Sequence, residues 1–283
     1  MSTRIGLFAE PHRGATYDDQ SRMVRAAERC GFESWLRADH YQTTDVGVRG
    51  EPGPTDAWVT LAGLARETSR IRIGTLVSCV TFRPARALAM LAAQVDRMSG
   101  GRVDLGIGAG WYEREHRAYG IPFPPRAARF DMLEEQLATI TRIWPSATRP
   151  PIIVGGRGAR RTPELAARYA DEFNMPFASV PQTARAFRRV EEARGGRPPL
   201  VLSAGIVAAV GRDAAQISRR AAPLHAPSAL PPEDPVIGPP GLLVERIGEL
   251  AAAGATRVYV RLSDPADLGH LELIAAEVLP QVS

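Results

Sequence analysis

Residues 97–105, "RMSGGRVDL", join two kinds of segment. Upstream, Leu88, Leu91, Ala92, Val95 and Met98 recur at helical spacing, which gives that stretch one apolar face. Downstream, residues 103–107 form a short apolar run of the length of a buried strand. The glycines between supply the left-handed geometry in which a helix ends. The same join recurs in "ERCGFESWL" (28–36) and "AAAGATRVYV" (251–260), so helix alternates with strand, and strands fed in this way run parallel.

Eight strand-like runs follow this logic: 5–8, 34–36, 71–77, 103–107, 152–154, 172–175, 200–210 and 257–260. A second helix is marked by Phe130, Leu133, Leu137, Ile140 and Trp144. Eight parallel strands with helical crossovers close most economically into a (β/α)8 TIM barrel of about 250 residues. The 283-residue chain, 45% hydrophobic, shows no break in composition, so a single α/β barrel domain over 1–283 is expected. One segment fits poorly. Residues 221–241, "AAPLHAPSALPPEDPVIGPPG", are rich in proline and long for a connection, and are expected as a surface loop near the barrel mouth, with a lid as one reading.

Composition removes several functions. All 35 basic residues are arginine, which excludes a lysine Schiff base and a phosphate-loop lysine. The arginines are scattered among 31 acids, without the basic block of a nucleic-acid binder, and the net charge of +4 suits an anionic small ligand. Cys30 and Cys79 lack metal or redox spacing and are expected as reduced thiols of a cytoplasmic protein. The opening "MSTRIGLFAEP" has too short an apolar run for a signal peptide, and no window reaches membrane-span length, so no membrane association is expected. His12, His116, His225 and His270 are too dispersed to suggest a metal site.

In such a barrel the site is built at the C-terminal strand ends. After the second run comes "RADH", which sets Asp39 and His40 at the mouth: His40 as a proton donor or a satisfied structural histidine, Asp39 as a turn former or a cofactor contact. After the fourth, Gly106, Gly108 and Gly110 either admit a flat ligand against the backbone or ease a tight turn and inner packing. Glu113 and Glu115 in "YEREHR" are candidate acids, weighed against a solvated surface, and Trp111 either covers a ligand or packs. After the fifth, Gly155, Gly156 and Gly158 precede a helix whose free N–H groups favour an anion, with Arg160, Arg161 and Thr162 adding charge and a hydroxyl. The spacing is not that of a dinucleotide-binding fold, and a glycine-rich turn with solvated arginines is the plain alternative.

Two stretches, "GTLVSCVTFRPARALAMLAAQVDRMSGGRVDLGIGAGWYEREHRAYG" (74–120) and "PPIIVGGRGARRTPELAARYADEFN" (150–174), resemble the bacterial luciferase-like oxidoreductases, particularly their deazaflavin-dependent branch. The likeness runs from "RIGLF" to the tail "HLELIAAEVLP". It implies a (β/α)8 fold that binds coenzyme F420, an 8-hydroxy-5-deazaflavin, or FMN. It further implies a non-proline cis peptide near Leu76 and Val77 behind the cofactor ring, with Asp39, Gly108 and Gly110 beside it. The cofactor phosphate falls to Val154, Gly155, Gly156, Arg160, Arg161 and Thr162. His40 becomes the preferred proton donor and Glu113 a weaker candidate. Some deazaflavin dehydrogenases of this family carry a glutamate where this chain has Ala109, a departure that counts against a sugar-phosphate substrate. The resemblance therefore implies an F420-dependent oxidoreductase that exchanges hydride with a small organic substrate, with a homodimer as a frequent form among relatives. The competing readings are an FMN-dependent monooxygenase, a cofactor-binding protein without turnover, and a barrel hydrolase.

Overall fold

Each of the three joins that define the alternation ends its helix as expected: Gly31, Gly100 and Gly254 take positive φ values of 86°, 74° and 108°. The computed structural model describes residues 3–41, 55–144, 149–225, 232–262, 264 and 266–282. Its strands are β1 (Arg4–Ala9), β2 (Ser34–Arg37), β3 (Arg72–Cys79), β4 (Val103–Gly108), β5 (Ile152–Gly155), β6 (Glu172–Pro176), β7 (Val201–Val210), β8 (Val236–Gly238) and β9 (Arg257–Leu262). The helices are α1 (Tyr17–Arg29), α2 (Ala57–Glu67), α3 (Ala85–Ser99), α4 (Glu113–Ala118), α5 (Arg126–Ile143), α6 (Arg161–Tyr169), α7 (Val180–Arg194), α8 (Ala214–Ala221), α9 (Pro240–Ala252), α10 (Leu268–Glu277) and α11 (Leu279–Val282).

Strands β1 to β7 pair in sequence, β7 pairs with β9, and β9 returns to β1, all parallel. The result is a closed ring of eight strands with helices between them, the expected (β/α)8 barrel. The helices bury their apolar faces on the outside of this ring. Leu88, Ala92 and Val95 of α3 and Leu133, Leu137 and Ile140 of α5 are almost fully buried there, at the spacing that the sequence displayed. A smaller cluster, Phe8, Leu36, Ala38, Ile153 and Tyr259, forms a separate core, against which Leu76 and Phe177 pack.

Two elements depart from expectation. The proline-rich segment 221–241 is not one loop: α8 closes it on one side, residues 222–225 form a 3₁₀ turn, and β8 pairs with Ala208–Val210 of β7. Residues 226–231 lie outside the described residues. The prolines are compatible with this order because Pro235 stands just before a short strand that pairs on one side, and Pro240 occupies the first turn of α9, where its missing N–H costs nothing. The second departure is α4, six residues that read as solvated surface and that bury Glu115 and His116. No helix among the described residues is long and apolar enough to cross a membrane.

Candidate active site

At the C-terminal strand ends lies a cavity of about 480 Å³, within the range of small-molecule and cofactor sites. Phe8, Ala38, Leu76 and Phe177 of the inner apolar cluster are part of its lining. Phe177 holds a left-handed φ of 49°, costly for an aromatic residue, and its carbonyl is fixed by the Arg157 guanidinium.

One wall is the end of β3. The Leu76–Val77 peptide is cis, and the β3–β4 register shifts between Thr75 and Ser78, so this strand bulges where both residues line the cavity. The glycines opposite make that bulge possible. A Cβ on Gly108 would stand 2.7 Å from Val77 Cγ2, and one on Gly110, whose φ is 77°, would stand 2.2 Å from Cys79 Sγ. Inner packing therefore demands these glycines, and their backbone still faces the cavity. Cys79 is buried, which pushes its thiol up to about 11. Its sulfur lies 2.8 Å from Thr81 Oγ1, which in turn lies 2.5 Å from His116 Nε2. Because His116 Nδ1 faces the Tyr112 carbonyl at 2.8 Å, it carries a hydrogen, and in the neutral ring Nε2 accepts from Thr81.

Beside this wall, the end of β2 delivers Asp39 and His40. Asp39 is buried and accepts from Ser78 Oγ at 2.7 Å and from Arg83 Nη1 at 2.5 Å; Arg83 also donates to Asp56 at 2.5 Å and Tyr41 OH at 2.8 Å. Its carboxylate is thus committed to the protein, and its effect on the cavity is to anchor the β2 end to β3. His40 Nδ1 donates to Glu115 Oε1 at 2.8 Å, and the Tyr41 amide donates to Glu115 Oε2 at 3.0 Å. Burial disfavours a charge on His40, but the hydrogen bond and charge of Glu115 outweigh it and raise the pKa above the ordinary histidine value. Its neighbour His12, edge-on at 4.9 Å between ring centroids, moves the other way: burial and the adjacent His40 hold its pKa well below the usual value. Glu10, also on the lining, is pushed upward by burial, yet Arg261, His12 and Arg13 bring it down to about 2.

The opposite part of the lining is cationic. Gly155, Gly156, Gly158 and Thr162 line it at the β5–α6 turn, where no side chain caps the start of α6. Arg126 and Arg129 come from the first turn of α5 and Arg157 from the β5 loop. Arg129 stacks at 3.8 Å over Phe123, donates to the Pro124 carbonyl at 2.5 Å, and keeps a buried Nε without a hydrogen-bond partner among the described residues.

Of the residues singled out in the sequence, the fold gathers Asp39, His40, Leu76, Val77, Gly108, Gly110, Gly155, Gly156 and Thr162 around one cavity. Val154 is fully buried behind it. Glu113 lies on the outer face of α4 in an exposed pair with Arg117. Arg160 pairs with Glu164 one helical turn on, and Arg161 is drawn to Asp131 and Glu134 of α5, so neither arginine lines the cavity. The cations on the lining are instead Arg126, Arg129 and Arg157, and the carboxylates at its other end include half-buried Glu10 and buried Glu115. The signal for the arginines was weak, because "PPRAARF" carries no glycine-rich or anion-binding signature.

Comparisons with known proteins agree with this architecture. An F420-dependent secondary alcohol dehydrogenase, solved with an F420–acetone adduct, superposes with a TM-score of 0.83 over 100% of both chains at 21% identity. EDTA monooxygenase (EmoA) from Chelativorans sp. BNC1 gives a TM-score of 0.80 at 14% identity, covering 100% of this chain and 93% of that one. Both share the fold. In sequence, pyrimidine monooxygenase RutA of Allorhizobium ampelinum is 29% identical over 163 residues, 50% of this chain and 42% of that protein, so the match spans less than half of that relative. The model of the luciferase-like monooxygenases matches residues 1–236, which carry the cavity lining from Phe8 to Gly205, and the chain belongs to that family.

Proposed function

We propose that the protein is an F420-dependent oxidoreductase acting on a small organic substrate. The observation that carries this reading is the polarity of the cavity: backbone amides and three arginines at one part, and at the other a histidine whose Nε2 has no partner among the described residues. The residues fit a tricyclic coenzyme with an anionic tail. The buried Nε of Arg129, the uncapped start of α6 and the Thr162 hydroxyl offer donors for a phosphate, and exposed Arg126 has no acidic partner among the described residues. Leu76, Val77 and the Gly108 backbone offer an apolar wall for the ring.

Bound there, the deazaflavin would supply hydride exchange at C5. The chain's own task is geometry and a proton. His40, whose hold on a proton is strengthened by the Glu115 carboxylate, gives a proton to a substrate oxygen through Nε2 or takes one back in the reverse direction. Phe8, Leu76 and Phe177 exclude water from that end. Ala109, small and apolar, places no carboxylate beside the site at this position, which leaves the proton to His40.

Titration of the apoprotein with F420 and, separately, with FMN, followed by fluorescence, tests the reading. Binding of F420 with turnover of ketones, imines or activated alkenes is expected. His40→Ala should retain coenzyme affinity and lose roughly 10²–10⁴-fold in turnover; unchanged turnover removes His40 from the mechanism. The second reading, an FMN-dependent monooxygenase, is favoured by the sequence likeness to RutA. Tight binding of FMN alone, with oxygen-dependent product, would establish it in place of the first, whereas binding without turnover would mark a cofactor carrier.

A further inference from the structure

We propose that Glu115 is the positioning residue of this site: its carboxylate clamps His40 so that Nδ1 is occupied and Nε2 is the nitrogen presented to the substrate. This rests on the reading of His40 as the proton-transferring group. Glu115 is 2% exposed and uses both oxygens on one segment, Oε1 for the His40 ring and Oε2 for the Tyr41 amide. An ionised carboxylate only accepts, so the hydrogen of a neutral His40 must reside on Nδ1, and the proton it can give or take is on Nε2.

The clamp is itself held. Tyr119 OH, just past α4, donates to the Tyr41 carbonyl at 2.7 Å, so α4 and the residue that follows it grip both sides of Tyr41. His116, adjacent to Glu115, is tied to the Tyr112 carbonyl and to Thr81. Other groups face His40: Glu10 and His12 from the segment after β1, Asp39 from just past β2, and the Trp111 and Tyr112 rings at 5.7 and 6.2 Å. Glu10 is engaged by Arg13 and Arg261, and Asp39 by Arg83 and Ser78. Among the described residues, Glu115 alone hydrogen-bonds the His40 ring.

The test uses the intact apoprotein and then the F420-loaded enzyme. Nitrogen-15 NMR of wild-type His40, assigned by His40→Ala, should show Nδ1–H as the neutral tautomer; an Nε2–H tautomer overturns the proposal without any further variant. In Glu115→Gln the His40 titration should move to lower pH, and the pH–rate profile of the loaded enzyme should move with it, with turnover at neutral pH roughly 10–100-fold lower, inside the range a positioned proton donor supplies. Glu115→Asp, which keeps the charge, should restore part of the profile. Tyr119→Phe removes one contact that supports the clamp but keeps the Glu115 carboxylate on His40, and serves as the control. If Tyr119→Phe shifts the profile as far as Glu115→Gln, or if Glu115→Gln leaves the His40 titration in place, Glu115 is only a structural anchor. Failure of F420 to bind would overturn the functional reading instead, and the apoprotein titration would be unaffected by it.

Discussion

At Gly110 a side chain meets two obstacles at once. The backbone there is left-handed, and a Cβ would fall 2.2 Å from the Cys79 sulfur. Gly110→Ala should therefore cost roughly 2–4 kcal/mol in urea denaturation, the sum of left-handed strain and overpacking. In a Cys79→Ala background the same substitution should cost less, because the sulfur is gone and only the backbone strain remains; equal costs would show that the thiol contact is not what forbids the methyl. The comparison also shows what one residue's neighbours hide from sequence. Glu113 and Glu115 stand two apart in "YEREHR", which on a helix puts them on opposite faces. A six-residue helix has too few apolar positions to say which face points inward, so the buried acid and the solvated one read alike. His40, by contrast, was legible because a strand end at a barrel mouth fixes its place without any knowledge of packing.

Helix α10 is fastened to the barrel through a histidine. His270 is fully buried and its Nε2 accepts from the Val210 amide at the end of β7, at 3.1 Å. Burial, reinforced by the charge of Arg220, lowers its pKa from 6.5 to about 4. The unfolded chain therefore binds more protons between those values, so this contribution is fully present above pH 6.5 and is lost as pH falls toward 4. Wild-type stability should drop across that window, by roughly 3 kcal/mol from this group, and His270→Gln, which keeps an acceptor and cannot titrate, should flatten the curve there. A variant with the same slope would remove His270 as the cause. Elements of this kind differ in how openly the sequence declares them. Helices α3 and α5 repeat their apolar faces over several turns, and glycine marks where α1, α3 and α9 give way to strands. Strand β8 is three residues between prolines, shorter than any alternation can show, and exists because β7 runs on to Val210 and offers a partner edge.

The closed ring also has an end remote from the cavity, around the starts of its strands, and it is stabilised differently. Instead of an apolar plug, Glu172 of β6 and Arg257 of β9 form a buried ion pair; Tyr259 OH donates to Glu172 at 2.9 Å, and Arg257 reaches Glu33 at 2.7 and 2.8 Å. The two partners are not equivalent. Removing the arginine leaves Glu172 inside the barrel with the Tyr259 and Ser203 hydroxyls as its partners among the described residues, whereas removing the acid leaves Arg257 bound to Glu33 at the rim. Arg257→Leu should cost about 3–5 kcal/mol, the penalty of an uncompensated buried charge, and Glu172→Gln should cost about 1–2 kcal/mol. The two should also differ in their pH response. Burial already raises the Glu172 pKa in the intact protein, and without Arg257 nothing comparable opposes it, so its folded-state value lies above the unfolded one. Such a group favours folding below the unfolded pKa and loses that advantage as pH rises through the folded one, so the deficit of Arg257→Leu relative to wild type should shrink in acid. Urea denaturation at neutral and acid pH measures both differences. An acid-insensitive Arg257→Leu deficit, or a Glu172→Gln variant that is the less stable of the two, would mean that the barrel's lower end is held by its packing and not by this pair.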